Sequence, residues 1–251
     1  MQPVLKKITS AVVVLTASIT GLAGEAQVAV AANFAEPIKA IAAVLEKAAG
    51  HKLKITLGST GKFYAQIRNG APFDVLLAAN TETPAALEKE GLTLVGSRFT
   101  YATGKLVLWS ADAALVDAAG DVLKGNHFRK LAYASPAVAP YGAAAMQVMD
   151  KLALKRALTP KLVQGESIGQ TYSFVASGNA ELGFVALSQV TVSGKLNSGS
   201  MWVIPQALYR PIQQDAVVLK HGAHNPAVQA LVTLLHSPTI QDLIRSYGYD
   251  I

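Results

Sequence analysis

Small polar residues and glycines recur at four places where a predicted strand passes into a predicted helix. The four junctions are Ala32-Asn33, Ser59-Thr60-Gly61, Pro140-Tyr141-Gly142 and Ser167-Ile168-Gly169. Helix N-termini offer unpaired N–H groups and a partial positive charge, and ligands of open α/β sheets collect beyond the carboxyl ends of strands. Four such ends that face one cleft would bind an anion. Taken singly, Asn, Ser and Thr at these points are also explained as helix caps.

The hydrogen-bond donors at these junctions are neutral, apart from Lys62, whose place in the first turn of a helix also suits a solvated side chain. A fully ionised tetrahedral oxyanion accepts hydrogen bonds at every oxygen, whereas a protonated phosphate would leave its own O–H without an acceptor. Neutral donors therefore favour the ionised oxyanion. Glu166 lies two residues before Ile168. An exposed Glu166 leaves this prediction unchanged, and an inward-facing carboxylate would favour phosphate.

An enzyme is the competing interpretation. Residues 165–169 (GESIG) match the G-x-S-x-G pattern of a serine-hydrolase nucleophile elbow, with Ser167 as the nucleophile. In hydrolases with this motif the catalytic Ser, Asp and His follow one another in that order along the chain. Here Asp215 and one of His221, His224 and His236 would complete the triad. No His-Gly-Gly-type oxyanion loop precedes the pattern, which counts against a hydrolase.

Other chemical motifs are excluded by spacing. The five histidines show no H-E-x-x-H spacing, and residues 58–62 (GSTGK) are too short for a phosphate-binding P-loop. The sequence predicts neither catalytic residues nor residues that bind a metal cation directly, and it requires no cofactor.

Composition narrows the class of protein further. The chain has 251 residues, 51% of them apolar and 15% charged, which is typical of a folded globular protein. It has no cysteine, which excludes disulfides, thiolate nucleophiles and cysteine-bound metals. The formal charge of +6 is spread along the chain without a run of like charges, so no nucleic-acid partner is expected.

Residues 1–26 are predicted to form a secretory signal peptide. Lys6 and Lys7 precede an apolar stretch over residues 11–22, and small residues follow, with cleavage expected after Ala26. The stretch is well short of the ~20 residues that span a bilayer. The mature chain has no cysteine to carry a lipid. We therefore expect a soluble periplasmic protein.

From residue 27 the apolar spacing alternates between strand and helix periods. This pattern predicts an α/β protein, and the number of elements favours two doubly wound α/β lobes joined by crossing strands. The expected boundaries assign residues 27–103 and 207–251 to the first lobe and residues 104–206 to the second.

Several motifs, in this order and spacing, make the chain similar to the periplasmic molybdate-binding proteins of ABC importers. They are residues 31–34 (AANF), 58–62 (GSTGK), 66–74 (QIRNGAPFD), 135–136 (SP), 141–142 (YG) and 244–249 (IRSYGY). The resemblance covers nearly all of the mature chain. It implies a two-lobed periplasmic binding protein of type II, a monomer that captures molybdate or tungstate and delivers it to a membrane permease. Molybdenum would be bound as an oxyanion.

The resemblance also implies the site. The oxyanion would be held by Asn33, by Ser59 or Thr60 or both, and by the backbone N–H groups of Tyr141 and Ile168. Some family members add a tyrosine hydroxyl at the position that is Ala186 here, so this chain resembles the branch that uses an asparagine instead. Ala186 in place of the tyrosine would affect the selectivity among oxyanions and not oxyanion binding itself. Binding of sulfate or phosphate is the alternative.

Overall fold

The computed structural model describes residues 23–251, so residues 1–22 of the predicted signal peptide lie outside the described part. The strands are β1 (Glu25–Ala31), β2 (Lys52–Gly58), β3 (Val75–Leu77), β4 (Phe99–Gly104), β5 (Leu106–Ser110), β6 (Leu131–Ala134), β7 (Leu162–Gly165), β8 (Leu182–Ala186), β9 (Thr191–Val192), β10 (Lys195–Leu196), β11 (Ser200–Val203) and β12 (Ile212–Val218). The helices are α1 (Ala35–Ala49), α2 (Thr60–Arg68), α3 (Glu82–Lys89), α4 (Pro140–Lys151), α5 (Lys155–Leu158), α6 (Ile168–Ala176), α7 (Leu187–Val190), α8 (Pro226–Leu235) and α9 (Pro238–Ser246).

The first sheet has the strand order β2-β1-β3-β12-β4, with β1 parallel to β2 and β3 and with β12 antiparallel to its neighbours. Successive side chains of a strand point to opposite faces. Val28 and Val30 therefore pack with Ile38 of α1 and Leu231 of α8, whereas Ala29 packs with Phe63 of α2 on the other face. Helices thus cover both faces of this sheet.

The second sheet has the strand order β11-β5-β8-β6-β7, with β6 parallel to both β7 and β8. Leu106 and Leu108 of β5 pack with Val148 of α4 on one face. Val107 of the same strand packs with Val175 of α6 on the other face. The chain enters this sheet between β4 and β5 and returns to the first sheet between β11 and β12.

The predicted architecture of two α/β lobes is confirmed. The first sheet takes its strands from residues 25–104 and 212–218 and the second from residues 106–203, and the exact lobe boundaries stay a prediction. The apolar pattern predicts neither β4 nor β11, and it predicts a last strand only over residues 216–219, which matches the second half of β12. Gln214 and Asp215 are polar but buried in β12, because each forms hydrogen bonds with side chains of other elements. Two polar residues in the middle of a buried strand break its apolar pattern.

The described N-terminus begins just ahead of β1. Glu25 and Ala26 already pair with Lys52 and Leu53 of β2, so the expected cleavage after Ala26 would shorten this strand. The cleavage position stays a prediction. No helix among residues 23–251 is long and apolar enough to cross a membrane.

Candidate functional site

A small cavity lies between the two sheets, and all five residues of the predicted site line it. Its lining consists of Ala31, Asn33, Gly58, Ser59, Thr60, Ala79, Ala139, Pro140, Tyr141 and Ile168. The predicted junctions therefore come together, although they are spread over more than half of the chain.

The junctions meet because each follows a parallel strand. Asn33 lies in the short 3-10 turn Ala32–Phe34 that follows β1, and Ser59 precedes α2 at the end of β2. In the second lobe α4 comes after β6, and α6 comes after β7. Parallel neighbours end at the same edge of a sheet, so each lobe presents two junctions to the cleft. The cavity is thus faced by helix N-termini of both lobes.

The Ser59 hydroxyl has no hydrogen-bond partner within residues 23–251. Ser59 is the N-cap residue of α2, yet its side chain makes no capping hydrogen bond. Its residue is only 4% exposed, and the Oγ atom has no partner among residues 23–251. A buried hydroxyl without a partner is costly, which points to a ligand that accepts from it.

The Thr60 hydroxyl has one bond already. Its Oγ1 accepts from the backbone N–H of Ala79, at 2.9 Å, and so fixes the residues after β3 beside the cavity. A hydroxyl that accepts one bond can still donate another. Ser59 and Thr60 are therefore both available as donors.

The second lobe supplies two backbone donors. Pro140 has no N–H, so Tyr141 carries the first N–H of α4, and Ile168 carries the first N–H of α6. Neither N–H is hydrogen-bonded within residues 23–251, whereas the next N–H of α4, that of Gly142, donates to Ala139 O at 2.9 Å. These two N–H groups are the orphan donors that a helix N-terminus leaves for an anion.

Asn33 is held by a buried polar network. Its Nδ2 donates to Gln214 Oε1 at 2.8 Å and to Tyr249 Oη at 3.0 Å, while its Oδ1 is buried without a partner in the described part of the chain. The interpretation of Asn33 as a helix cap is wrong. Helix α1 begins at Ala35, and its N-cap residue is Phe34.

The network extends behind the cavity through three tyrosines. Tyr101 Oη donates to Gln214 Oε1 at 3.0 Å, and Gln214 Nε2 donates to Tyr141 Oη at 3.1 Å. Burial raises the pKa of Tyr101, Tyr141 and Tyr249, so all three hydroxyls stay protonated near neutral pH. The sequence did not predict Gln214 or Tyr249 as parts of the site. The only signal for Tyr249 was its place in the motif over residues 244–249.

Lys62 and Glu166, whose roles the sequence left open, lie outside the cavity lining. They form an ion pair with each other across the cleft. Glu166 therefore does not direct its carboxylate into the cavity, as the phosphate alternative requires. Ala186 is buried in β8 and does not line the cavity either.

The residues of the hydrolase alternative are used elsewhere. Ser167 Oγ accepts from the backbone N–H of Gln170 at 3.2 Å and thus caps α6. Asp215 binds Arg98 and Thr100, and His221 binds Asp74. No hydrogen bond in the described part of the chain joins Ser167, Asp215 and a histidine. Residues 23–251 also contain no group of three or more His, Cys, Asp or Glu side chains that could hold a metal ion.

Comparison with known proteins gives consistent matches. The family model described as bacterial extracellular solute-binding protein matches residues 26–250. The molybdate-binding protein ModA of Azotobacter vinelandii is 59% identical over 229 residues, 91% of each chain, and that of Rhodobacter capsulatus is 50% identical over 241 residues, 96% of this chain and 94% of the other. The solved structure of an Azotobacter vinelandii periplasmic molybdate-binding protein superposes with a TM-score of 0.86 at 42% identity, covering 90% of this chain and 99% of the other.

Proposed function

The chain belongs to the family of bacterial extracellular solute-binding proteins, and we propose that it captures molybdate in the cavity between its lobes. The observation that carries the proposal is the convergence of unpaired donors. The buried Ser59 hydroxyl and the backbone N–H groups of Tyr141 and Ile168 have no partners among the described residues and surround one cavity. The molybdate-binding relatives, at 59% and 50% identity, supply the identity of the oxyanion.

The donors come from both lobes, which suits a ligand enclosed between them. Ser59 and Thr60 would donate from the first lobe, and Tyr141 and Ile168 from the second. No acidic or basic side chain lines the cavity in residues 23–251. The charge of the anion would be balanced by hydrogen bonds and by the positive ends of α2, α4 and α6. A fully ionised tetrahedral anion accepts at each oxygen and fits this arrangement.

Asn33 joins the donors when its amide group is turned over. Nδ2 would then face the cavity, and Oδ1 would accept from Tyr249 Oη. Gln214 would turn with it, so that its Nε2 donates to Asn33 and its oxygen accepts from Tyr141. Oδ1 then gains a partner, and Nδ2 keeps one when it donates to the bound anion. We propose that the bound oxyanion favours this orientation.

The capture step would serve transport across the inner membrane. We propose that the protein binds molybdate or tungstate as a monomer in the periplasm, after removal of the signal peptide, and delivers it to the permease of an ABC transporter. The proposal includes no catalytic step, since the Ser167 hydroxyl caps α6, and it calls for no cofactor. Tungstate is included since it is nearly the same size as molybdate.

A thermal-shift panel of oxyanions tests the proposal on the chain from residue 27 onward. A ligand present at about a hundred times its dissociation constant adds ~2.7 kcal/mol to the free energy of unfolding. We expect molybdate and tungstate to raise the melting temperature, and sulfate and phosphate at equal concentration to do so far less. A largest shift with phosphate or sulfate would replace molybdate by that anion, and no shift with any of the four would contradict an oxyanion site.

A further inference from the structure

The Lys62–Glu166 ion pair connects the two lobes at one mouth of the cavity. Lys62 is the third residue of α2 in the first lobe, and Glu166 stands between β7 and α6 in the second. Both side chains line a recess that also contains Gly58 and Ser59, two residues of the cavity lining. The pair therefore lies beside the cavity that is proposed to hold the anion, but it does not line that cavity.

A second contact joins the two lobes beside the cavity. The backbone N–H of Gly61 donates to Val138 O at 2.9 Å, and a Cβ atom on Gly61 would lie 2.8 Å from Val138 Cα. Gly61 and Val138 line a separate recess that shares Thr60 and Ala139 with the cavity. The lobes thus touch at two places beside the cavity.

We infer that Lys62 and Glu166 are functional residues of the binding site, a pair that slows release of the oxyanion by joining the closed lobes. The inference rests on the proposed function. Lys62 has a second effect in this arrangement, because its cation offsets the Glu166 carboxylate beside a dianion. The side chains are 46% and 73% exposed, and exposed ion pairs contribute little each, so effects of a few fold are expected.

The two charges should affect binding in different ways. Lys62→Met breaks the pair and leaves the Glu166 carboxylate unbalanced, which repels the incoming anion. Glu166→Gln breaks the pair but leaves the Lys62 cation, which attracts the anion. Both variants should therefore release molybdate faster, while only Glu166→Gln should also bind it faster.

The experiment measures release of isotope-labelled molybdate after a chase with unlabelled molybdate. Release should be about two- to fivefold faster than in the parent for Lys62→Met, for Glu166→Gln and for the double variant. Because both single changes break the same ion pair, the double variant should release molybdate no faster than they do. The exchanged pair Lys62→Glu with Glu166→Lys should restore a release rate close to that of the parent. Melting temperatures without ligand should stay unchanged, which separates the effect on release from an effect on folding.

Lys39 and Glu36 provide the matched control. They form an exposed ion pair on α1, within the first lobe, and this pair does not connect the lobes. Lys39→Met and Glu36→Gln remove the same charges as the two test variants. These variants should release molybdate as the parent does. Parent-like release from both Lys62→Met and Glu166→Gln, or independent effects that multiply in the double variant, would overturn the inference. Calorimetry on the parent is done first, and failure to bind molybdate there would overturn the proposed function together with the inference.

Discussion

Ser59 and Ser167 hold the same position before their helices, but only the Ser167 hydroxyl accepts a hydrogen bond from its own helix. The Ser59 hydroxyl is buried beside the cavity and has no partner in the described part of the chain. The two serines therefore have different roles despite equal local sequence signals. Ser167 stabilises α6, and the Ser59 hydroxyl is available to the proposed ligand.

Replacing each serine by alanine should separate these roles. Ser59→Ala removes a hydrogen bond to an anion, which is worth about 1.5–3 kcal/mol, so affinity for molybdate should fall roughly ten- to hundredfold. Ser167→Ala keeps the N–H of Ile168 in place and should change affinity little, while it lowers the free energy of unfolding by about 0.5–2 kcal/mol. Calorimetry and denaturant unfolding measure the two effects. The opposite pattern would identify Ser59 as a structural residue.

Thr60 is predicted to contribute to stability. Thr60→Val removes the acceptor of the Ala79 N–H and leaves that buried donor unpaired, which should cost about 1–3 kcal/mol of unfolding free energy. Thr60→Ser keeps the hydroxyl and serves as the control. Affinity for molybdate, measured on both variants, also decides whether Thr60 donates to the anion. Equal stability of Thr60→Val and the parent would contradict the role of the Ala79 bond.

The residues that line the cavity could be predicted from the sequence because they stand where the apolar spacing changes from the strand period to the helix period. Ser59, Tyr141 and Ile168 each mark the start of a helix after an alternating or apolar strand, and such junctions are visible in a short window. The supporting network was not visible. Asn33 and Gln214 are 181 residues apart, and Lys62 and Glu166 are 104 apart. No local pattern relates such residues, and only the folded chain brings them together.

Gly61 should be required for full closure of the lobes. Its missing side chain allows the N–H···O contact with Val138, and Gly61→Ala places a Cβ atom 2.8 Å from Val138 Cα. Overpacking of this kind costs about 1–3 kcal/mol, so affinity should fall roughly five- to hundredfold. Gly125→Ala is the control, since its Cβ would meet mainly the side chain of His127.

Small-angle scattering with and without molybdate gives the second measurement for Gly61→Ala. The parent and the Gly125→Ala variant should contract on binding, because the lobes close around the ligand. The Gly61→Ala variant should contract less. If it binds and contracts as the parent does, the Gly61–Val138 contact is not part of closure.

Affinity for molybdate should vary little between about pH 6 and pH 9, because the residues that line the cavity do not titrate in that range. Burial raises the pKa of Tyr141 and Tyr249 above the unfolded value of about 10. The folded state therefore favours the protonated hydroxyls. Their contribution to stability is complete below about pH 10 and is lost as the pH rises further. Calorimetry across the neutral range and unfolding up to alkaline pH test both statements, and a ~tenfold change in affinity between pH 6 and pH 9 would contradict the first.

Asn33→Asp tests the centre of the site with a nearly isosteric change. At ~4 Å and an effective dielectric constant of ~20, one pair of unit charges costs about 4 kcal/mol, which is roughly a thousandfold in affinity for an anion. The variant should also be less stable, because the new carboxylate is buried and no longer donates to Gln214 and Tyr249. Asn179→Asp is the control, since Asn179 is exposed beyond the far end of α6.

The pH dependence of Asn33→Asp follows from burial of the new group. Burial raises the pKa of a carboxyl in the folded state above the unfolded value of about 3.9, so the free energy of unfolding decreases as the pH rises above that value. A bound anion raises this pKa further, because it repels the ionised form. The variant should therefore bind molybdate more tightly at pH 5.5 than at pH 8, whereas the parent and Asn179→Asp should show no such difference. Calorimetry of the three proteins at both pH values gives the answer. Binding of molybdate by Asn33→Asp at pH 8 with the affinity of the parent would place the anion away from Asn33.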